Sequence, residues 1–478
     1  MSDDITLTNA SPQWGETTRD REAVPMLSVL WSLDEPHRVG EVLIVDTYGA
    51  GVFGRQSSAV TPQHLSLHRL RPGDTKRTGL PATRRLSRAQ LKVEIKGRHL
   101  QIENVGRCKL IVNGDVTQAA TVRPGALVEL EHQLLMLCVM RPPYLHPTQG
   151  LRPFPFGEAD DSGIVGESDQ LWSVREQIVR LASRPNHILI RGPSGVGKEL
   201  VARALHAHSP RKRMPLVARS AATFPEGLMD AELFGNVQNY PNPGMPARPG
   251  LIGEADRSSL FLDEIGELPE AMQAHLLRVL DQGEYHRLGE SKARKADFRL
   301  IAATNRPEQR IKADLLARLI ERILIPDLNH RREDIPLIVT HLLRQGAVGD
   351  PSLSRQFFQD GRPRLSPPLI AALTQHRYTT NVRELHRLLW QCIDGSRGDF
   401  ITLVEGNGLS LKKQPPPPPP KRTVPNIAPE QLSPEQIQAC LDKHKGIQEK
   451  VWQELGLSSR HQLARLIKKH GLVVRKRH

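Results

Sequence analysis

The 478-residue chain carries a net charge of +14, with 38% hydrophobic and 25% charged residues. These are globular proportions that exclude a fibrous or wholly disordered chain and allow about three domains of roughly 100–200 residues each. The four cysteines (Cys108, Cys138, Cys392, Cys440) stand far apart with no CxxC pair, and no apolar run approaches a bilayer span. That pattern points to reduced thiols in a cytoplasmic protein rather than to a disulfide scaffold or a membrane anchor.

Residues 1–36 begin MSDDITLTNASPQ, acidic and polar, and read as a poorly ordered lead-in rather than a signal peptide. Over residues 37–142 short β-type runs follow one another: VLIVDTY, QLKVEIKG, HLQIEN, KLIVNG and LVELEHQLLMLCV. Turn residues separate them, which predicts an all-β sandwich. A proline-containing linker over 143–160 leads to residues 161–332, where strands alternate with helices as in an α/β nucleotide-binding core. A helical lid follows over 333–405. Pro415–Pro420 lies within a second linker, 406–430; it cannot pack as helix or strand and acts as a semi-rigid spacer. Residues 431–478 form a compact helical unit.

The core opens on HILIRGPSGVGKELVARALH, from His187 to His206. A short apolar strand runs into Gly192-Pro193-Ser194-Gly195-Val196-Gly197-Lys198-Glu199 and then directly into an apolar-periodic helix. Glycines let backbone N–H groups close around a polyphosphate, the helix N-terminus adds positive dipole, and Lys198 neutralises the outer phosphates. A second strand, SLFLDEIGELP, ends in Asp263-Glu264. Asp263 is placed to hold Mg²⁺ through water, and Glu264 to polarise the attacking water of an ATP-hydrolysing site. A third, FRLIAATNR, puts Asn305 at a strand end, where an amide can sense the terminal phosphate.

From Lys421 to His478 there are twelve Lys and Arg against five Asp and Glu, a balance that suggests a nucleic-acid partner. Ser433-Pro434-Glu435-Gln436 combines an N-cap, a proline at the first helical position and a capping-box Gln. A second helix is expected at about Gln448 to Glu454. Ser459 and Gln462 open a third, with Leu463, Leu466 and Ile467 on one face. Helix, glycine-containing turn and basic helix make a helix-turn-helix that binds DNA. Arg460 and His461 at the helix start suit base contacts. Arg465, Lys468 and Lys469 lie off the apolar face, and the two lysines suit phosphates.

GPSGVGKELVARALH, ELFG, LFLDEIGELP, FRLIAATNR, RREDIP and NVREL stand in the order found in bacterial enhancer-binding proteins, and the chain resembles that family from about Ile164 to Leu388. These are AAA+ activators of sigma-54 RNA polymerase. The resemblance implies a hexamer-type homo-oligomeric ring that hydrolyses ATP at an upstream activator-type DNA site. It also implies that Arg318 is the trans-acting arginine finger, Arg383 is sensor II and Asn305 is sensor I, with Glu199 at a position where many phosphate loops carry Ser or Thr. The last helices resemble the Fis-type domain of that family. Gly54-Arg55, Ser87-Arg88 and Val112-Asn113-Gly114 resemble a forkhead-associated domain. That implies a phosphothreonine protein as partner, with Arg55, Ser87 and Arg88 at the phosphate, although a purely structural sandwich is equally open.

Departures from the enhancer-binding pattern carry expectations of their own. The family's GAFTGA loop, which grips sigma-54, should follow ELFG. Asn239-Tyr240-Pro241-Asn242-Pro243-Gly244 stands there instead, and prolines that fix φ and remove donors disfavour a mobile hairpin. The sigma-54 contact is therefore expected to be lost, leaving an ATP-sensing DNA-binding regulator as the alternative reading. Arg219 stands where the family has an Asn near the catalytic Glu, and is expected to pair with Glu264 and slow turnover. Lys312 replaces a second arginine near the finger.

Overall fold

The computed structural model describes residues 23–45, 49–55, 64–225, 227–404, 406, 408–409, 434–443, 451 and 460–470. The chain separates into two compact units, 1–412 and 413–478. No described helix is long and apolar enough to cross a membrane.

The first unit opens with a two-sheet antiparallel sandwich. Its strands are β1 Val24–Ser32, β2 Val42–Ile44, β3 Ala50–Phe53, β4 Ser66–Arg71, β5 Asp74–Gly79, β6 Leu91–Lys96, β7 His99–Asn104, β8 Leu110–Val112, β9 Asp115–Thr117, β10 Ala119–Val122, β11 Leu127–Leu130 and β12 Leu134–Arg141. One sheet runs β5-β4-β2-β1-β12-β11-β8-β9 and the other β10-β7-β6-β3. Leu27, Val29, Phe53, Leu91, Leu100, Val128 and Met136 fill the space between them. This is the layering that alternating apolar residues demand.

The expected lead-in over residues 1–36 is corrected by β1, which sits in the middle of the larger sheet, paired with β12 from Val24 opposite Arg141 to Ser32 opposite Leu134. Its apolar residues do not alternate with polar ones because both faces are covered. Leu27 and Val29 face the sandwich core, Met26 meets Trp172 and Leu145, and Leu30 joins Leu337, Leu365 and Leu369 of the lid. The 143–160 segment is likewise more than a spacer. Phe154 stacks on Trp172 at 5.7 Å, the Arg71 guanidinium lies 4.4 Å from the Phe154 ring centre, and Arg71 pairs with Glu167 at 2.5 Å. Trp31 donates its indole N–H to the carbonyl of Leu365 at 2.8 Å. Arg141, fully buried, pairs with Glu333 at 3.2 Å and donates to the carbonyl of Glu167 at 2.8 Å.

The α/β core is a parallel five-stranded sheet of β13 Ile188–Arg191, β14 Val217–Ser220, β15 Ser259–Asp263, β18 Arg299–Thr304 and β19 Glu321–Leu324, in the order β14-β15-β18-β13-β19. Between β15 and β18 the chain makes a small hairpin, β16 Glu284–Tyr285 with β17 Arg294–Lys295. The three inner strands are apolar almost throughout because helices cover both faces. Ile188, Ile190, Val201, Leu205 and Ile301 pack on one side, and Leu189, Leu262, Leu276 and Leu300 on the other. The lid comprises helices Ile335–Gly349, Pro351–Phe357, Pro367–Gln375 and Asn381–Gly395.

In the second unit, helices Pro434–Lys443 and Arg460–His470 are described. Ile437, Cys440, Leu441, Val451, Leu463 and Leu466 form their shared core. The second expected helix, apart from Val451, and the Pro415–Pro420 spacer lie outside the described residues.

Candidate nucleotide site and its neighbours

Gly192 to Lys198 leaves β13 at the C-terminal edge of the sheet and enters helix Lys198–Ala207. Gly195 and Gly197 have φ of +77° and +101°, a region closed to most side chains. Gly195 is doubly constrained, since a Cβ there would come within 2.2 Å of the Thr380 carbonyl. Val196 is buried and anchors the loop from below.

Strand order brings the predicted residues together. β15 and β18 lie beside β13, so Asp263, Glu264 and Asn305 emerge at the same edge as the loop. Lys198, 7% exposed, holds its Nζ 3.3 Å from Glu264 Oε1 and 3.3 Å from the Gly192 carbonyl. Asn305 donates its backbone N–H to Glu264 Oε2 at 3.1 Å, and Glu264 donates its own to Asp263 Oδ1 at 3.0 Å. Burial pushes the Asp263 carboxyl above its ordinary range, and the Lys198 charge works against that shift. Arg383 reaches over from the lid and donates to Ser194 Oγ at 2.8 Å.

Two residues of the set stand apart. Arg318 pairs with Asp281 at 2.7 Å on a largely exposed surface. Glu199 points outward and pairs with Arg203 at 2.6 Å. The expected pairing of Arg219 with Glu264 is corrected: Arg219 is exposed and makes no ion pair among the described residues. Glu264 adopts φ of +53°, and its carboxylate is held by Lys198 and the Asn305 N–H.

Besides Arg383, further residues tie the lid to the loop and the core, and none of these was expected from the sequence. Asn381, at φ +52°, donates to the Ser194 carbonyl at 2.9 Å and accepts from the Leu328 N–H at 2.8 Å. Val382 donates to the Gly195 carbonyl at 3.1 Å. Asp334 accepts from the N–H groups of Glu167 and Ser168 and from Ser168 Oγ, and Arg331 donates to the Val196 carbonyl at 3.3 Å. The signal lay inside RREDIP and NVREL, whose polar residues flank apolar ones at lid boundaries.

The segment after ELFG closes on itself. The buried Asn236 amide lies within 3.2 Å of the carbonyls of Val237, Tyr240 and Pro246. Asn239 donates its N–H to the Met245 carbonyl at 2.8 Å and accepts from the Gly244 N–H at 2.9 Å. The Tyr240 ring covers Gly289, where a Cβ would lie 2.7 Å from Tyr240 Cγ.

At one end of the sandwich Arg55 donates its N–H to the Ser87 carbonyl at 2.9 Å, and Gly54 packs directly on the Arg88 carbonyl. Arg55, Ser87 and Arg88 are therefore neighbours. In the second unit Arg465, Lys468 and Lys469 are exposed opposite buried Leu463 and Leu466; Arg460 and His461 begin the same helix, and their side chains lie outside the described residues.

Residues 164–326 match the sigma-54 interaction domain and residues 329–405 the AAA+ ATPase lid domain. The chain is 35% identical over 324 residues to the Nif-specific regulatory protein of Azotobacter vinelandii, a match spanning 66% of this chain and 60% of that protein. It is 33% identical over 319 residues to the transcriptional regulatory protein ZraR of Escherichia coli K12, spanning 65% of this chain and 70% of ZraR. To the DNA-binding transcriptional regulator NtrC of the same organism it is 40% identical over 229 residues, 46% of this chain and 47% of NtrC. Among solved structures, that of NtrX from Brucella abortus in complex with ATP superposes with a TM-score of 0.45 at 29% identity, covering 66% of this chain and 70% of NtrX.

Proposed function

Because the chain belongs to the family of sigma-54-dependent AAA+ transcriptional regulators, we propose that it is an ATP- and DNA-binding regulator whose homo-oligomeric ring hydrolyses ATP at an upstream activator-type site. The observation that carries this reading is the convergence of Lys198, Asp263, Glu264, the Asn305 N–H and Arg383 around one glycine loop. A lysine and a guanidinium facing two carboxylates is a donor set that fits Mg²⁺·ATP. Bound there, Mg²⁺·ATP supplies the scissile phosphoanhydride and a cation that gathers its charge. Asp263 would hold that cation through water, Lys198 offsets the outer phosphates, and Glu264 accepts a proton from the attacking water. Arg383 carries the occupancy of the loop to the lid. Arg318, exposed at a surface, suits a neighbouring subunit's site. Arg460, His461, Arg465, Lys468 and Lys469 contact DNA, and Arg55, Ser87 and Arg88 take a phosphothreonine. The test is ATP turnover by the purified chain with and without promoter DNA. A chain that neither binds nor hydrolyses ATP would sink the proposal.

A second reading is favoured by the closed loop after ELFG. With Asn236 drawing its two ends together and Tyr240 seated on Gly289, the segment supports a regulator that senses ATP and acts on DNA or on another polymerase form without gripping sigma-54. Capture of sigma-54 in the presence of a transition-state analogue of ATP separates the two: the first reading expects a complex, the second none.

A further inference from the structure

One end of the front sandwich carries five guanidinium groups without a carboxylate partner. Arg55, Arg84, Arg85, Arg88 and Arg107 come from three loops, and none forms an ion pair among the described residues. The loops are locked into one platform. Arg55 N–H donates to the Ser87 carbonyl at 2.9 Å, and Arg107 N–H donates to Ser87 Oγ at 2.9 Å. Gln90, fully buried, accepts from the Ser87 N–H at 3.1 Å and donates to Asn104 Oδ1 at 2.7 Å and the Cys108 carbonyl at 2.8 Å. Buried Leu86 pins the chain between Arg85 and Ser87. The Glu131 carboxylate nearby is taken by Lys109 at 2.9 Å. Five like charges carried on loops joined in this way repel one another, and a polyanion relieves that repulsion. One guanidinium with a hydroxyl suits a phosphate; the others call for further negative charge beside it.

We propose that the platform takes a phosphothreonine set in acidic sequence, and that its occupant is the chain's own N-terminal segment, Asp3-Asp4-Ile5-Thr6-Leu7-Thr8. The inference rests on reading Arg55 and Ser87 as a phosphate site. Residues 1–22 hold five Asp and Glu against two Arg, with threonines at 6, 8, 17 and 18. Chain geometry selects among them. Ser32, the end of β1, pairs opposite Leu134; Leu33 bonds to Gln133, and Glu131 to Lys109, two residues from Arg107. The platform therefore lies at the Ser32 end, and Val24 starts about 27 Å away along the strand. Thr17 and Thr18 precede Val24 by too few residues, with a reach of at most about 24 Å. Thr8, twice as far back along the chain, reaches about 53 Å fully extended, and Thr6 further. In this proposal Asp3 and Asp4 supply the further negative charge that Arg84 and Arg85 call for. The modification needs an ATP-dependent protein kinase, which moves the γ-phosphoryl to the threonine Oγ with loss of its proton and release of ADP. The occupied platform is closed to other phosphoproteins.

The test uses the unphosphorylated full chain and labelled peptides of residues 1–12, followed by fluorescence anisotropy. Peptides carrying phosphate on Thr6 or on Thr8 are compared with the unmodified peptide, with Asp3→Asn/Asp4→Asn versions, and with an unrelated neutral phosphothreonine peptide. One phosphorylated tail peptide should bind at least tenfold tighter than the unmodified, Asn-substituted and neutral peptides. Arg84→Ala/Arg85→Ala should erase that advantage, whereas Arg55→Ala should abolish all phosphopeptide binding. ATP affinity serves as the fold check on each variant. Full chain phosphorylated at the same threonine should refuse the labelled peptide. Equal binding of the neutral peptide, indifferent to Arg84 and Arg85, would overturn the inference and leave the phosphate site standing. Binding of no phosphopeptide at all would remove both.

Discussion

Lys198 serves two partners at 3.3 Å, the Glu264 carboxylate and the Gly192 carbonyl, and it is the cation best placed to meet the outer phosphates of a nucleotide. Lys198→Ala should reduce ATP affinity by at least a hundredfold, measured by calorimetry, while DNA affinity stays unchanged; equal ATP affinity would undo the phosphate-loop assignment. Glu264→Gln removes the base and should lower turnover by roughly 10²–10⁴-fold with ATP still bound. Arg219 was the residue expected to restrain Glu264, and the structure gives it no such contact. Arg219→Asn should therefore change the hydrolysis rate less than about threefold. A large acceleration would mean that the cation reaches Glu264 after all. Position in the motif made Lys198, Asp263, Glu264 and Asn305 legible, because strand-end residues on adjacent parallel strands must meet at one edge. That Arg219 misses Glu264 was not legible, because the left-handed turn at Glu264 and the Lys198 and Asn305 contacts of its carboxylate leave no mark on the residue order.

At the scale of elements, the chain announced what alternates and concealed what is covered twice. β6 and β7 have the period expected of half-buried strands, and the glycine loop predicted its own strand and helix. β1 escaped because VPMLSVLWS shows no alternation and follows a polar run, features of a strand flanked by protein on both faces. The 143–160 segment looked like a spacer because Pro and Phe are uninformative until Arg71 and Trp172 are brought to them by the fold. The loop after ELFG was legible as stiff, but the closing role of Asn236 was not. Asn236→Ala should free that loop: amide exchange over 237–249 should quicken by tenfold or more, with little change in ATP affinity. Unchanged exchange would show that the prolines alone hold it. Replacing residues 239–244 with GAFTGA should create sigma-54 capture if the ring is otherwise sound. Capture by the unmodified chain, lost in Tyr240→Ala, would restore the activator reading.

For the whole molecule, the junction between sandwich and ATPase decides whether the front domain can report to the lid. Arg141 at the end of β12 and Glu333 at the start of the lid are both buried and 3.2 Å apart. Burial pushes the Glu333 carboxyl from its ordinary 4.5 up to about 7, against the pull of Arg141. A carboxyl whose pKa is raised on folding holds a proton that the unfolded chain releases. Its contribution to stability is complete below pH 4.5 and is lost as pH rises to about 7, at a slope of about 1.4 kcal/mol per unit. Trp31 and Trp172 both sit at this junction, so their fluorescence reports its unfolding. The wild-type transition should weaken between pH 5 and 7 by more than that of Glu333→Gln, which has no proton to lose. Arg141→Met strands the carboxyl. Without the Arg141 charge its pKa climbs further, so above pH 7 it must either stay protonated or ionise unpaired; the cost there should be about 3–5 kcal/mol, and it should shrink below pH 6, where the neutral acid needs no cation. A pH-independent cost of Arg141→Met would mean that the pair acts through packing alone. The predicted pH dependence would make this joint between β12 and the lid an electrostatic one.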